Sequence, residues 1–154
     1  MSQKNDQITR LGNFLPYLLS VTSNAVSNCI AQEYHARFGL KITEWRVMAL
    51  LGEIDSATQR ELADKTLMDK VAVNRACKSL EDRALAHRIP NARDGRSHHL
   101  ELTAAGQGVY EDIMPLAEQM ERQLFTALSA DEQAQFRALL GRIRKQADEF
   151  GQRD

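Results

Sequence analysis

Residues 58–83 read TQRELADKTLMDKVAVNRACKSLEDR, and this stretch decides the fold. Thr58-Gln59-Arg60-Glu61 has the form of a capping box, in which the threonine side chain accepts the N3 amide and Glu61 reaches back to the N-cap amide. It opens a short helix through about Lys65. Thr66-Leu67-Met68 forms a tight turn. Asp69 is a good N-cap for a second helix that runs to about Arg83. The apolar face of that second helix is Val73, Ala76 or Cys77, and Leu80. Its opposite face carries Lys70, Val71, Asn74, Arg75 and Lys78. Two short helices joined by a tight turn, the second two-faced in this way, are the parts of a helix-turn-helix.

Downstream the hydrophobic period changes. Leu85 to Ile89 reads as a short strand, Pro90 to Arg96 as turn chemistry, and His98-Leu100-Leu102 alternates as the returning strand. A helix-turn-helix followed by a basic β-hairpin is a winged helix-turn-helix, which places its second helix in the major groove of DNA. The residue types suit that task. Arg75 can pair with guanine O6/N7 and Asn74 with adenine N6/N7, while Val71 and Ala72 can meet thymine methyls. The helix N-terminus at Thr58 can present amides to a phosphate. Arg93 and Arg96 at the hairpin tip suit the minor groove.

Upstream, Asn13 is the expected N-cap of a first helix, with Pro16 tolerated in its first turn. Its apolar pattern continues to about Arg37 and stops at Phe38-Gly39. A helix of roughly 24 residues is about 36 Å long. That is too long, and too apolar around its girth, to pack only on its own small domain. Thr43 is the expected cap of a second helix carrying Trp45, Val47, Met48, Leu50 and Leu51, and residues 52–57 read as a connection. After the hairpin, Thr103 caps a helix with Val109, Ile113, Leu116 and Met120, interrupted by Pro115. Ser129-Ala130-Asp131-Glu132 is a second capping box, opening a last helix with Phe136, Leu139, Leu140 and Ile143.

Composition agrees with this reading. The chain has 154 residues, enough for one domain with a sizeable core and no need of a disulfide or metal staple. With 43% apolar and 27% charged residues, and only 8 glycines and 3 prolines, it is neither fibrous nor wholly disordered. No apolar run approaches a membrane span, and Met1 to Arg10 lacks a signal-peptide core, so a cytoplasmic location is expected. The net charge is −1, but residues 60–100 carry nine Lys/Arg against six Asp/Glu, and residues 101–154 carry six against ten. A basic middle in an acidic protein is a candidate polyanion-binding surface.

The ordered set Trp45-Arg46-Val47-Met48, Thr58 to Ala63, Met68-Asp69-Lys70, Val73 and Arg75, Leu80 to Arg83, Asp94-Gly95-Arg96 and Leu102 to Gly106 resembles the MarR family. These are multiple-antibiotic-resistance-type transcriptional regulators, and the resemblance covers roughly residues 10–145. It implies a mainly α fold with a small β-hairpin wing. The whole chain, 1–154, would be a single domain, with 10–38 and 104–150 as a helical dimerisation region and 40–103 as the winged helix-turn-helix. It further implies a homodimer on a pseudo-palindromic double-stranded operator, with two recognition helices about one DNA turn, roughly 34 Å, apart. By the same resemblance, Thr58 and Gln59 contact the DNA backbone, Lys70 to Arg75 read bases, and Asp94 holds Arg96 for the minor groove. The family usually has glycine after the recognition helix. Ala84 stands there, and an alanine at positive φ costs about 1 kcal/mol, so a different turn is expected.

The resemblance also implies a small aromatic or anionic effector that releases DNA, in a pocket between the first two helices and the fifth. Ser20, Asn24 and Asn28 form a polar line on the first helix, which is either a solvated or dimer-bridging strip or part of that pocket. Tyr17, Trp45, Arg46 and Ala49 are the other candidates, Arg46 suiting a carboxylate through its bidentate fork. Cys29, on the apolar stripe of the first helix, and Cys77, near the docking face of the recognition helix, read as buried, inert thiols without zinc spacing. His98 and His99 point to opposite faces of a strand, and His35 and His87 are distant in sequence, so neither a metal nor another cofactor is expected. No phosphate loop and no nucleophile–base pair argues for an enzyme. The competing readings are a redox- or metal-responsive regulator of the same fold and a helical interaction module without DNA binding.

Overall fold

The computed structural model describes residues 10–90 and 98–152. Six helices are described: α1 Leu15–Phe38, α2 Ile42–Ile54, α3 Gln59–Thr66, α4 Lys70–Asp82, α5 Ala104–Leu124 and α6 Ala130–Gly151. Three short strands, β1 Ser56–Ala57, β2 Ala86–Pro90 and β3 His98–Leu102, form an antiparallel sheet in the order β1-β3-β2. The mainly α architecture with a small hairpin is therefore the one the sequence implies. Residues through Leu116 belong to one compact unit and those from Ala117 to a second. Pro115, which has no amide hydrogen to give to the helix, stands beside that division.

The predicted caps at Thr58, Asp69 and Ser129 are all present. Thr58 Oγ1 accepts the Glu61 amide at 3.2 Å, and Glu61 Oε2 accepts the Thr58 amide at 2.8 Å. Asp69 Oδ1 accepts the Ala72 amide at 2.8 Å, and Ser129 and Glu132 exchange the same pair of bonds as Thr58 and Glu61. Two predicted caps are displaced. Asn13 lies in a 3-10 turn, Leu11–Asn13, and α1 starts after an extended Phe14, with Pro16 in its first turn. α2 starts before Thr43, because Glu44 reaches back to accept the Lys41 amide at 3.2 Å. Gly39 ends α1 in the left-handed region at φ 64, its amide donating to the His35 carbonyl at 3.0 Å.

Residues 52–57 are more than a connection. α2 continues through Ile54, and β1 then pairs Ser56 with Glu101 and Ala57 with Leu100 on β3. On the other edge, β2 pairs His87 with Glu101 and Arg88 with Leu100. Leu100 is fully buried at the centre of this sheet. Around it lie Leu40, Val47, Met48, Leu51, Leu62, Val73, Cys77 and Leu80, which bring α2, α3 and α4 into one core. At about 25 cal/mol per Å² of apolar surface, each such leucine supplies roughly 2 kcal/mol.

The turn after α4 keeps its left-handed residue although no glycine is present. Ala84 has φ 55. Its amide donates to Glu81 O, and the Leu85 amide donates to Leu80 O, both at 2.9 Å. These are the two bonds of a Schellman motif, with Ala84 in the position that glycine normally fills. The expectation of a different turn is corrected: the two hydrogen bonds, with Leu80 and Leu85 both buried, outweigh the roughly 1 kcal/mol of strain. Ala84→Gly should accordingly raise stability by up to about 1 kcal/mol in urea unfolding, less the extra entropy glycine gives the unfolded chain. A loss of stability would show that the alanine is unstrained.

The second unit pairs the end of α5 with α6. Phe125 and Phe136 meet with ring centres 6.2 Å apart, and Arg137 lies 3.5 Å from Glu121. Gln133 donates to the Phe125 and Leu128 carbonyls, closing the turn between the helices. None of the α6 residues is buried, and Phe136, Leu139, Leu140, Ile143 and Phe150 are exposed.

Candidate nucleic-acid interface

α4 separates its faces as amphipathic spacing requires. Val73, Ala76, Cys77 and Leu80 are buried. Lys70, Val71, Asn74, Arg75 and Lys78 are all exposed, and Ala72 is half-buried. Residues 71, 74, 75 and 78 stand at i, i+3, i+4 and i+7, so their side chains share one stripe of the helix. Lys78 Nζ is 3.8 Å from Asp82 Oδ2, a solvated pair worth little that a phosphate could displace.

The helix is held from several sides, which fixes the direction in which that stripe points. Arg88 on β2 donates from Nε to Glu81 at 2.7 Å. Near the C-terminal end of α4, Ser79 Oγ donates to Glu44 Oε2 at 2.9 Å, and Arg83 Nη1 lies 3.8 Å from the same oxygen. Arg83 also donates to the Gly39 and Phe38 carbonyls at 3.1 and 2.9 Å. Glu44 itself is only 3% exposed. A single buried carboxylate thus joins the start of α2 to α4 and, through Arg83, to the end of α1. Sequence reasoning misses this group, because its partners lie 35 and 39 positions away along the chain.

Arg75 lines a cleft of about 220 Å³ with Lys41, Thr43, Glu44, Ala72, Ala76 and Ser79. Lys41 is not a residue to which the sequence points, since nothing local distinguishes it from any surface lysine. The start of α3 is occupied by the capping box that the sequence predicts. The Thr58 amide is taken by the Glu61 carboxylate and the Glu61 amide by the Thr58 hydroxyl. Those bonds lower the Glu61 pKa, so it is ionised at neutral pH. The Gln59 and Arg60 amides remain as the groups that could face a phosphate there. Arg93, Asp94 and Arg96 lie outside the described residues.

The candidate effector residues divide. Trp45 packs between two tyrosines: its ring centre is 5.1 Å from that of Tyr34, edge to face, and 6.2 Å from that of Tyr110, stacked. Tyr110 in turn lies over Gly52, where a β-carbon would stand 2.5 Å from the ring. Ala49 is half-buried, and Tyr17, Ser20, Asn24 and Arg46 are exposed. Burial raises the Tyr34 pKa, keeping its phenol neutral.

Cys77 is buried as expected, whereas the expectation of a buried Cys29 is corrected: it is exposed, because the apolar stripe of α1 around it is largely uncovered in the single chain, and the two thiols are unbonded. Burial pushes the Cys77 thiol up to about 11, so it is not a nucleophile at neutral pH. Among the described residues, no group of three or more His, Cys, Asp or Glu is arranged to hold a metal ion. His87 pairs with Glu101 at 3.5 Å across the sheet. No helix among the described residues is long and apolar enough to cross a membrane.

Known proteins supply an independent measure of this geometry. The MarR family model matches residues 38–97. The transcriptional regulator HosA of Escherichia coli is 30% identical over 98 residues, covering 56% of this chain and 73% of HosA. A MarR/EmrR family transcriptional regulator from Acinetobacter sp. ADP1 superposes with a TM-score of 0.85 at 26% identity, covering 92% of this chain and 99% of its own. The Staphylococcus aureus MepR–DNA complex superposes with a TM-score of 0.78 at 23% identity, covering 87% and 98%, a likeness of fold alone.

Proposed function

The chain belongs to the MarR family of DNA-binding transcriptional regulators, and on that premise we propose that it is a homodimeric repressor of a pseudo-palindromic operator, released by a small ligand. The observation that carries the DNA-reading part is the face of α4. Five exposed side chains (Lys70, Val71, Asn74, Arg75 and Lys78) stand on a helix whose other face is locked into the core. Ala72 joins them at the edge. Thr58 and Gln59 at the start of α3, and Arg93, Asp94 and Arg96 from the sequence resemblance, complete the contact set. The fold shared with MepR, which was solved on DNA, supports placing α4 in the major groove.

A second copy of the chain accounts for the apolar surface that one copy leaves open. Leu15 is 74% exposed, Ile143 58% and Phe150 71%. Large apolar side chains left open to water, on α1 and separately on α6, are common at interfaces between like chains. Pairing would also supply two recognition helices for two half-sites.

The test is fluorescence anisotropy on duplex DNA from the protein's own upstream region, against unrelated DNA, over a range of salt. Wild type should prefer the upstream duplex, with affinity falling steeply as salt rises. Arg75→Ala should weaken specific binding by roughly 10-fold to 100-fold, the value of a bidentate arginine–guanine contact. Equal affinity of the variant and wild type would remove Arg75 from the interface, and no binding to any DNA at low salt would leave an interaction module.

For the effector, Trp45 is the only tryptophan and reports directly. Salicylate-like aromatic carboxylates should change its fluorescence through a saturable isotherm if the site includes Tyr17, Ser20, Asn24, Trp45, Arg46 and Ala49. Arg46→Ala should weaken that isotherm by roughly 10-fold, since charged hydrogen bonds are worth about 1.5–3 kcal/mol. An unchanged isotherm would place the carboxylate elsewhere.

A further inference from the structure

The stripe on α4 begins with a side chain that neither solubility nor helix formation asks for. Val71 is 60% exposed, in the first turn of the helix, one position after Lys70. Valine is a weaker helix former than alanine, and its branched carbons gain nothing in water. Ala72, next to it, is half-buried, donates its amide to Asp69 and lines the cleft beside Arg75. Of the two small apolar residues at this end, Val71 is the one that projects outward.

Its neighbours on the stripe are Asn74 and Arg75, at i+3 and i+4, both exposed. Asparagine suits adenine and arginine suits guanine through paired hydrogen bonds, whereas valine has neither donor nor acceptor. In the major groove, the thymine C5-methyl is the apolar group that a base pair offers to such a side chain. Valine holds essentially one χ1 rotamer in a helix, so little side-chain freedom is lost when it docks. Recognition helices reach base edges with their N-terminal residues, and Val71 is at that end.

We propose that Val71 is a specificity-determining residue that reads one thymine in each operator half-site through its methyl group, beside the purines faced by Asn74 and Arg75. This rests on the DNA-binding reading above and specifies the sequence that the same site selects. The methyl contact adds affinity only at that thymine, and it vanishes when either partner loses its apolar carbon.

The experiment starts from random duplexes selected on the full-length wild-type protein, followed by anisotropy on the winning sequence. Each thymine is then replaced by deoxyuridine, which keeps the pairing and the O4 acceptor and removes only the methyl. Wild type should lose about fourfold in affinity per half-site at one position, the value of one buried methyl-sized group. Val71→Ala should bind the thymine duplex about as weakly as wild type binds the uracil one, and should be indifferent to the replacement. Its far-UV circular dichroism and melting should match wild type, since the site is exposed and alanine favours helix. Wild-type indifference at every thymine, or sensitivity that survives in Val71→Ala, overturns the assignment while leaving DNA binding intact. Failure of the selection to enrich any sequence overturns the sequence-reading function and this assignment together.

Discussion

Gly106→Ala is expected to destabilise the protein by about 3 kcal/mol or more, although alanine is the better helix former. Helix propensity alone predicts a gain of up to about 1 kcal/mol. Packing reverses the sign. A β-carbon at Gly106 would overlap Leu85 O and stand 2.9 Å from Leu85 C, both backbone atoms that no rotamer change can move. The same place is tied by three further bonds. The Thr103 amide donates to Leu85 O at 3.0 Å, Thr103 Oγ1 donates to Ala84 O at 2.7 Å, and the Gly106 amide donates to Thr103 Oγ1 at 3.0 Å. A methyl group there must push the start of α5 off the turn that follows α4, breaking the cap as well as the contact. Gly108, two residues on in the same helix, has nothing within 4 Å of its would-be β-carbon. Gly108→Ala should therefore be neutral or stabilising by up to about 1 kcal/mol. Urea unfolding of the two variants checks the contrast, and equal stability of both would show that α5 does not need this close approach.

Glu44→Ala is the second large effect, at about 2–4 kcal/mol. The carboxylate accepts the Lys41 amide and the Ser79 hydroxyl, and it faces Arg83 from a nearly fully buried position. Truncation removes the cap of α2, worth about 1 kcal/mol, and leaves Ser79 without its partner, a further cost of about 1–3 kcal/mol. Arg83 is partly exposed and keeps its two carbonyl acceptors, so it is not stranded as a buried charge. Glu44→Gln should stay within about 1 kcal/mol of wild type. It keeps an oxygen for Lys41, and losing the ion pair is offset by burying a neutral group in place of a carboxylate. Thermal unfolding of both variants reads the difference. An alanine variant as stable as wild type would mean that α2 and α4 are held by apolar packing alone.

Most of the helix-turn-helix is legible in the sequence. Thr58, Asp69 and Ser129 are short polar side chains that satisfy amides three residues away, and such bonds follow from local sequence. The buried face of α4 is legible for the same reason, since a helical period places Val73, Cys77 and Leu80 together without help from the rest of the chain. The misplaced caps have a common cause. Asn13 and Thr43 have suitable side chains, but a 3-10 turn and a back-reaching glutamate move the helix starts. β1 is illegible because two residues carry no alternation, and it exists only as far as β3 is there to pair with it. The candidate interface can be read as a set of residue types, whereas Lys41 joins the cleft beside Arg75 only when α2 packs on α4.

The sequence by itself determined the order of the six helices and the hairpin, the caps that start α3, α4 and α6, and which side chains of α4 face outward. It also determined, through motifs spread over most of its length, the family to which the chain belongs. Only the tertiary structure decided that Glu44 is buried between α2 and α4, that Trp45 lies between Tyr34 and Tyr110, and that Gly106 touches the Leu85 backbone. It also decided that Ala84 accepts a left-handed turn. Caps and periodicities depend on residues within about one helical turn of each other, whose distances backbone geometry sets. Glu44 and Ser79, or Leu85 and Gly106, come together only through the packing of whole elements, and the energy of that packing is shared over the core rather than written at either position.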